Sequence, residues 1–539
     1  MKPSSHFPPV VSAPGLESSV YRRVCVLLIV VATAMALGRI LSAQLVYEPS
    51  LSEPWPNDPG HYRRPWPATP PRPTPMFSSN DRSRWAAVRA LVDEGTWVIG
   101  RRDKQVVIAS VPAALAASTP LQLAVLLEAG LDRRITSDRG IIFEEGWQSV
   151  DKMLNPATLE FYSTKPPLLT FLVAGEYWLL KKVFGWSLQD RHDAGLTGER
   201  DQRFAVVRVC LLTFNLIPFM VYLGLLARLV ERFGNTDWGR LFVVAAACFG
   251  TLMTPFLITL NNHTLAACSV VFAVYATERL LSGGGWGWFA AAGFFAGFTA
   301  AHELPAAAFA AGLGLLLMVR APKPTLLAFV PAAAIPVAAL LALNYAELGE
   351  FELGYSKFGT EWYEYEGSHW RNLPDASKRG IDWANHKEGK VTYAFHLLLG
   401  HHGWFSLTPI YLLGLGGMVL GVRHLSEGRK FPAQKESRPW AELAVATLLL
   451  SVVVTGYYIY KSDNYGGWSN GPRWLMWLSP LWLLTLLPIV DRLGQRRGGR
   501  ALCLVLLALS VLSAHYWDWN PWRHPWIYNW MDNRGWIPY

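Results

Sequence analysis

The sequence predicts an all-α polytopic integral membrane protein with about eleven transmembrane helices. Three observations predict it. Half of the 539 residues are hydrophobic, and they fall in long blocks separated by short polar loops instead of being spread as in a soluble core. The blocks have the roughly 18 to 22 mostly uncharged residues that the hydrocarbon thickness of a bilayer requires. Basic residues gather in alternate loops, as the positive-inside rule demands. One such block would suit a buried helix of a soluble protein; so many do not.

Residues 1–23 are the expected cytoplasmic N-terminus, with Arg22 and Arg23 placed directly before the apolar run 24–46. That run lacks a small-residue cleavage site before polar sequence resumes, so it is expected to remain as a signal anchor. Residues 47–203 form a first external loop, opening on the proline-rich tether SEPWPNDPGHYRRPWPATPPRPTP and carrying juxtamembrane helices beyond it. A transmembrane core, 204–346, has spans near 204–227, 241–260, 263–281, 286–301, 304–319 and 325–346. An external loop, 347–394, leads to C-terminal helices in 395–517, with spans near 396–422, 440–460, 474–491 and 501–517, and an external aromatic tail occupies 518–539. This order places Arg228, Arg232 and Arg240, then Arg320 and Lys323, then Arg423, Arg429, Lys430, Lys435 and Arg438, then Arg492, Arg496, Arg497 and Arg500 in the cytoplasm. Counting 166–186 as a full span would turn every one of these clusters outward. That stretch is therefore expected on the outer surface or only partly inserted.

Several classes drop out. The net charge of +9 is absorbed by cytoplasmic turns and calls for no nucleic-acid partner. The five cysteines, Cys25, Cys210, Cys248, Cys268 and Cys503, lie in apolar segments without paired spacing, which suggests neither a disulfide framework nor a zinc site. No GxxxxGK[ST] loop marks an ATP-driven pump, and no cofactor is implied. His396, His401 and His402 lack a carboxylate at ligand spacing, so headgroup or acceptor contacts, or interfacial packing, are preferred to a metal. A polytopic transporter or flippase for a lipid-linked or anionic substrate is the alternative to an enzyme; such proteins tend to show inverted halves, and no internal repeat is visible.

Chemistry-bearing residues open the first loop. From Ser83 the sequence reads as an amphipathic helix, with Trp85, Val88, Leu91 and Val92 on one face and Gly95 at its end. Asp81 and Arg84 stand three apart near its start. Asp81 is either the helix cap or a base held beside a phosphate-binding arginine. In FYSTKPPLLTF, Lys165 precedes two prolines that fix a helix entry at headgroup level; it is either a snorkelling lysine or a phosphate ligand.

NDRSRWAAVRALVDEGTWVI together with FYSTKPPLLTFLVAGEYWLLKKVFG resembles the first external loop of the C-type membrane glycosyltransferases that use polyprenyl-phosphate sugars, the group of protein O-mannosyltransferases and lipid A aminoarabinose transferase. RFAVVRVCLLTFN, with Arg208, is similar to that family's entry to its second membrane helix, and DNYGGWSNGPRWLMWLSP resembles a glycine-rich external motif of related bacterial enzymes. The resemblance implies a GT-C-like fold in the inner or plasma membrane, with the active site on the external face. It implies Asp81 as the catalytic residue and Arg84 and Lys165 as ligands of the lipid phosphate; the charge that builds on a departing phosphate adds Arg473 as a further expected phosphate-binding cation. Where the family has Asp-Glu this chain has Asp81-Arg82, a later acidic residue is replaced by Asn261, Asn262 and His263, and His302-Glu303 falls near a Lys-Gly pair. Asn262, His263, His302 and Glu303 are therefore expected as sugar or acceptor contacts, with a structural His302–Glu303 pairing as the other reading of Glu303. The implied reaction moves a sugar from a polyprenyl-phosphate donor to an external acceptor (protein, lipid or cell-envelope glycan). One displacement inverts the anomeric carbon, and no metal is demanded.

Overall fold

The computed structural model describes residues 19–44, 73–103, 137–189, 201–371, 381–386, 388–427, 438–462 and 464–539. The tether up to residue 72 and the expected cytoplasmic residues Arg429, Lys430 and Lys435 lie outside the described residues. The chain divides into two compact units, one made of Met1–Phe77, Leu179–Leu343 and Pro374–Tyr539, the other of Ser78–Trp178 and Asn344–Leu373.

The larger unit carries the membrane helices. Seven described helices are long and apolar enough to cross a membrane: Val20–Ser42, Gln202–Phe233, Asp237–Phe256, Asn262–Leu281, Pro322–Leu348, Arg438–Lys461 and Arg497–His515. A bent pair, Arg473–Thr485 with Leu487–Leu493, makes an eighth if it is one span. The chain is thus built as an integral membrane protein. The remaining expected spans are shorter helices, Trp286–His302, Leu304–Arg320 and Tyr411–Glu427. The first helix begins at Ser19, earlier than the expected 24–46, and its Arg22 makes an exposed ion pair to Glu231 at 2.9 Å.

Two expected spans are broken. The stretch 396–422 does not run through: helix Lys390–Leu398 stops, one turn forms at Trp404–Leu407, and helix Tyr411–Glu427 starts afresh. Gly400 and Gly403 make this corner, since a methyl group on either would overlap the His396 ring or the Ser406 hydroxyl, and Pro409 cannot donate into a continuing helix. The stretch 474–491 bends by 44° where Pro488 removes the hydrogen bond owed to the Leu484 carbonyl. Trp440 Nε1 donates to that carbonyl instead, at 3.0 Å. Elsewhere packing is tight because side chains are missing: a methyl at Gly293 or Gly297 would overlap the Phe329 or Ala333 carbonyl, so this small-xxx-small pair lets helix Trp286–His302 and the segment entering Val330–Leu348 meet backbone to backbone.

The smaller unit corrects the all-α expectation. Helix Ser79–Arg89 is accompanied by a four-stranded antiparallel sheet of β1 (Gly100–Asp103), β2 (Ser137–Arg139), β3 (Lys152–Leu154) and β4 (Glu160–Ser163), in the order β2-β1-β4-β3. The strands are three or four residues long, too short for alternation to show, and β1 is held by charge: Arg102 makes two 2.8 Å bonds to Asp138 on β2 and covers the Phe161 ring at 5.5 Å. The loop after residue 344 belongs here too. Leu154 N donates to Trp362 O at 2.9 Å, and Trp370 Nε1 to Val150 O at 2.9 Å. Val98, Met153, Tyr162, Leu348 and Tyr363 form its small core. The buried Tyr363 and Tyr365 of this loop are therefore packing residues.

Helix Pro167–Phe184 follows the Lys-Pro-Pro motif. It is not among the apolar spans, carries Glu176, Lys181 and Lys182, and exposes Phe171, Trp178, Leu179 and Val183 along one stripe. Gly185, at φ +70°, ends it.

Candidate active site

The helix that carries Asp81 is capped by another residue. Ser78, in extended conformation, accepts a 3.1 Å bond from the Asp81 amide, so the helix begins at Ser79 and not at the expected Ser83, and Asp81 sits in its first turn. The capping reading of Asp81 is thereby overturned: Ser78 meets the orphan donors, leaving the Asp81 carboxylate to favour the helix dipole and its neighbours. Trp85 and Val88 are buried as expected, and the helix closes through a π turn, Ala90–Glu94, onto left-handed Gly95.

Asp81 is 0% and Arg84 1% exposed. Arg84 Nη1 donates to Asn80 Oδ1 one turn back. Arg82, placed where the resembled family has an acid, is also largely withdrawn from water: burial lowers its guanidinium pKa, and Asp81 and Asp151 oppose that shift. Lys165 is no snorkelling lysine. Its Nζ makes a 2.7 Å ion pair with Asp151, both side chains mostly buried, and its amide donates to Ser163 Oγ at 3.2 Å. A row of serines fixes the pair: Ser83 Oγ donates to the Asp151 carbonyl at 2.5 Å and shares a 2.8 Å bond with Ser163 Oγ, while the Asp151 amide donates to Ser149 Oγ at 3.0 Å. Asp81, Arg84 and Lys165 thus belong to one unit with Asp151, Ser83 and Ser163. Asp151 was missed from sequence because it lies in a loop before β3 with no helical or strand period to flag it.

The other five expected residues come together in the larger unit. Asn261 caps helix Asn262–Leu281, accepting from Thr264 N at 3.0 Å, and the irregular segment before it is held by Asn215, whose amide donates to the Leu257 and Thr259 carbonyls at 2.8 Å each. Asn262 Nδ2 then reaches the His302 carbonyl at 2.7 Å and Glu303 Oε1 at 2.5 Å. Glu303 pairs with His263 Nδ1, not with His302 as the alternative reading of Glu303 had it; His302 Nδ1 instead donates back to Phe298 O at 2.9 Å. On the far side of the same ring, His263 Nε2 lies 2.6 Å from Arg473 Nη1. Arg473 also donates to Gly466 O from Nε and Nη2, at 3.2 and 3.1 Å, and lies over the Trp522 ring at 5.2 Å. Gly466, at φ +91°, takes a turn that a side chain disfavours.

His396, His401 and His402 lie in the larger unit, in a stack of rings. His396 and His401 lie 4.0 Å apart, His401 Nε2 meets the Tyr539 hydroxyl at 2.7 Å, and His524 stacks on Tyr528 at 3.9 Å. Burial pushes the His401 and His402 imidazoles well below their usual range, and neighbouring histidines push the same way; His524 is pushed down to about 3, by burial and then by Arg523. Among the described residues no three His, Cys, Asp or Glu side chains are placed to hold a metal ion.

No protein-family model matches the chain, and no curated protein matches it. Among solved structures, the apo Archaeoglobus fulgidus oligosaccharyltransferase is 11% identical over 92% of this chain and 55% of its own, with a TM-score of 0.39. The same enzyme with Zn and sulfate is 13% identical over 68% and 46%, TM-score 0.35. The archaeal oligosaccharyltransferase AglB from Archaeoglobus fulgidus, in complex with an inhibitory peptide and a dolichol-phosphate, is 13% identical over 68% and 49%, TM-score 0.34. The chain spans about half the length of these structures. At such TM-scores this is a distant likeness and nothing more.

Proposed function

We propose that the protein is a membrane glycosyltransferase of the GT-C kind, moving a sugar from a polyprenyl-phosphate donor to a protein, lipid or envelope glycan on the outer face of the plasma membrane. The observation that carries this reading is that Ser78 caps the helix while Asp81 stays a buried carboxylate in the same unit as Arg84 and Lys165. A capping role no longer accounts for Asp81, and burying charges is costly, which favours a working site over plain packing.

In the proposed reaction Asp81 takes the proton from the acceptor hydroxyl or amine as that atom attacks the anomeric carbon. The bond from that carbon to the phosphate oxygen breaks, its electron pair leaves with the polyprenyl phosphate, and the anomeric configuration inverts. Arg84 and Lys165 hold the departing dianion, as fixed cations do best where water is scarce. Lys165 exchanges Asp151 for phosphate oxygen. Arg473 is the anion-binding group of the larger unit, with Asn262, His263, His302 and Glu303 as the polar set for sugar or acceptor hydroxyls.

The test is comparative mass spectrometry of surface glycans, lipids and polyprenyl-phosphate sugars, with the gene intact, deleted, or replaced by the Asp81→Asn form. The reading expects deletion and Asp81→Asn alike to remove one glycan increment and to accumulate its lipid-linked sugar. A deletion phenotype fully restored by Asp81→Asn favours the transporter reading instead.

A further inference from the structure

The geometry points to His263 and Glu303 as a positioning pair for Arg473: Glu303 fixes the tautomer of His263 so that its second nitrogen holds the guanidinium aimed at an anion. This rests on the reading of Arg473 as a phosphate ligand and gives two members of the polar set a narrower job. A guanidinium has donors only. The 2.6 Å approach of Arg473 Nη1 to His263 Nε2 is therefore a hydrogen bond only if Nε2 presents its lone pair, which requires the proton to sit on Nδ1. Nδ1 lies against the Glu303 carboxylate, whose negative field favours the proton on that nitrogen. Asn262, donating to Glu303 Oε1 at 2.5 Å, holds the carboxylate in turn.

The chain of contacts has a direction. It runs from the Glu303 carboxylate through the His263 ring to the Arg473 guanidinium. Three guanidinium nitrogens are tied to Gly466 O and His263, and the tie sets the plane in which the group can approach a phosphate. Arg473 is also stacked on Trp522, so little freedom is left once the histidine is in place. His263 and Glu303 are positioning residues here, acting through Arg473.

Binding of farnesyl monophosphate to the purified full-length protein tests this, with farnesol as the probe that lacks the phosphate. Arg473→Ala, His263→Ala and Glu303→Ala should each weaken farnesyl phosphate by roughly tenfold or more, the worth of one charge-assisted hydrogen bond, and leave farnesol binding unchanged. His263→Gln, whose amide oxygen can replace Nε2 as the acceptor, should bind within about threefold of the unmodified protein. If Arg473→Ala binds farnesyl phosphate at full strength, Arg473 is no phosphate ligand and both readings of it fall. If Arg473→Ala is weakened while His263→Ala or Glu303→Ala is not, the phosphate role stands and the positioning role is wrong. Loss of farnesol binding in the His263 or Glu303 variants, or failure of His263→Gln to recover affinity, also overturns the positioning role, since it marks a general structural defect.

Discussion

The group around Asp81, Asp151 and Lys165 and the histidine stack around His401 are both buried and both rich in titratable side chains, yet they handle charge in opposite ways. In the first, each cation has carboxylates beside it that oppose the effect of burial: Lys165 has Asp151 at 2.7 Å, Arg82 has Asp81 and Asp151 as electrostatic partners, and serine hydroxyls order the carboxylate's own backbone. In the second, imidazole meets imidazole and tyrosine, and burial drives the rings neutral. The difference separates function from packing. A buried group that retains its charge is ready for an anion or a proton, whereas one that surrenders it contributes mainly ring area.

The largest expected effect lies in the first group. Lys165→Ala should weaken polyprenyl monophosphate binding by roughly tenfold or more and lower stability by about 2 kcal/mol, because Asp151 is left buried without its cation. Adding Asp151→Ala should restore the stability and not the binding. If the double variant recovers both, the lysine serves the fold alone and the contrast between the two regions collapses. Titration calorimetry and detergent melting curves on the two variants read both quantities.

The histidine stack gives the next effect. Its imidazoles titrate lower in the folded chain than in the unfolded one, so the unfolded chain takes up protons first as the pH falls. The stability they contribute is complete above their ordinary value of 6.5 and is lost on acidification toward the folded values, about 3 for His524, at up to about 1.4 kcal/mol per pH unit for each such ring. Melting temperature should therefore drop between about pH 7.5 and about pH 5, and His524→Phe should flatten the slope. A flat profile for the unmodified protein would mean that the stack keeps charge after all. Smallest is the cap: Ser78→Ala should cost about 1 kcal/mol of stability, measured by the same melting curves, with transfer activity retained. An inactive but stable Ser78→Ala protein would show that the serine serves chemistry.

The sequence made the membrane helices legible because length and apolarity are local properties, and the breaks at Pro488 and Gly400–Gly403 had visible proline and glycine signals whose consequence depends on neighbours such as Trp440. Asp81, Arg84 and Lys165 were legible as a set only through the family they resemble. Their partners were not: Asp151 is fixed to Lys165 by folding across a sheet of three- and four-residue strands, and no periodicity marks such strands. Nor does any local pattern mark the burial of Tyr363 and Tyr365, which follows from the second loop returning to cover β3. The alternative reading of Glu303, a pairing with His302, missed its partner for a similar reason. Adjacency in sequence favoured His302, while the helix geometry turns that ring back to Phe298 and brings His263 across from the neighbouring helix.

The central claim is that Asp81 is the base, and the most direct measurement is transfer by Asp81→Asn protein reconstituted in vesicles with a polyprenyl-phosphate-sugar extract. Asparagine keeps the size and the place in the first turn, and Ser78 still caps the helix, so folding and donor binding should be preserved. Transfer should fall by roughly a hundredfold or more, the usual worth of a positioned general base. A folded Asp81→Asn protein that transfers sugar at the unmodified rate would contradict the claim.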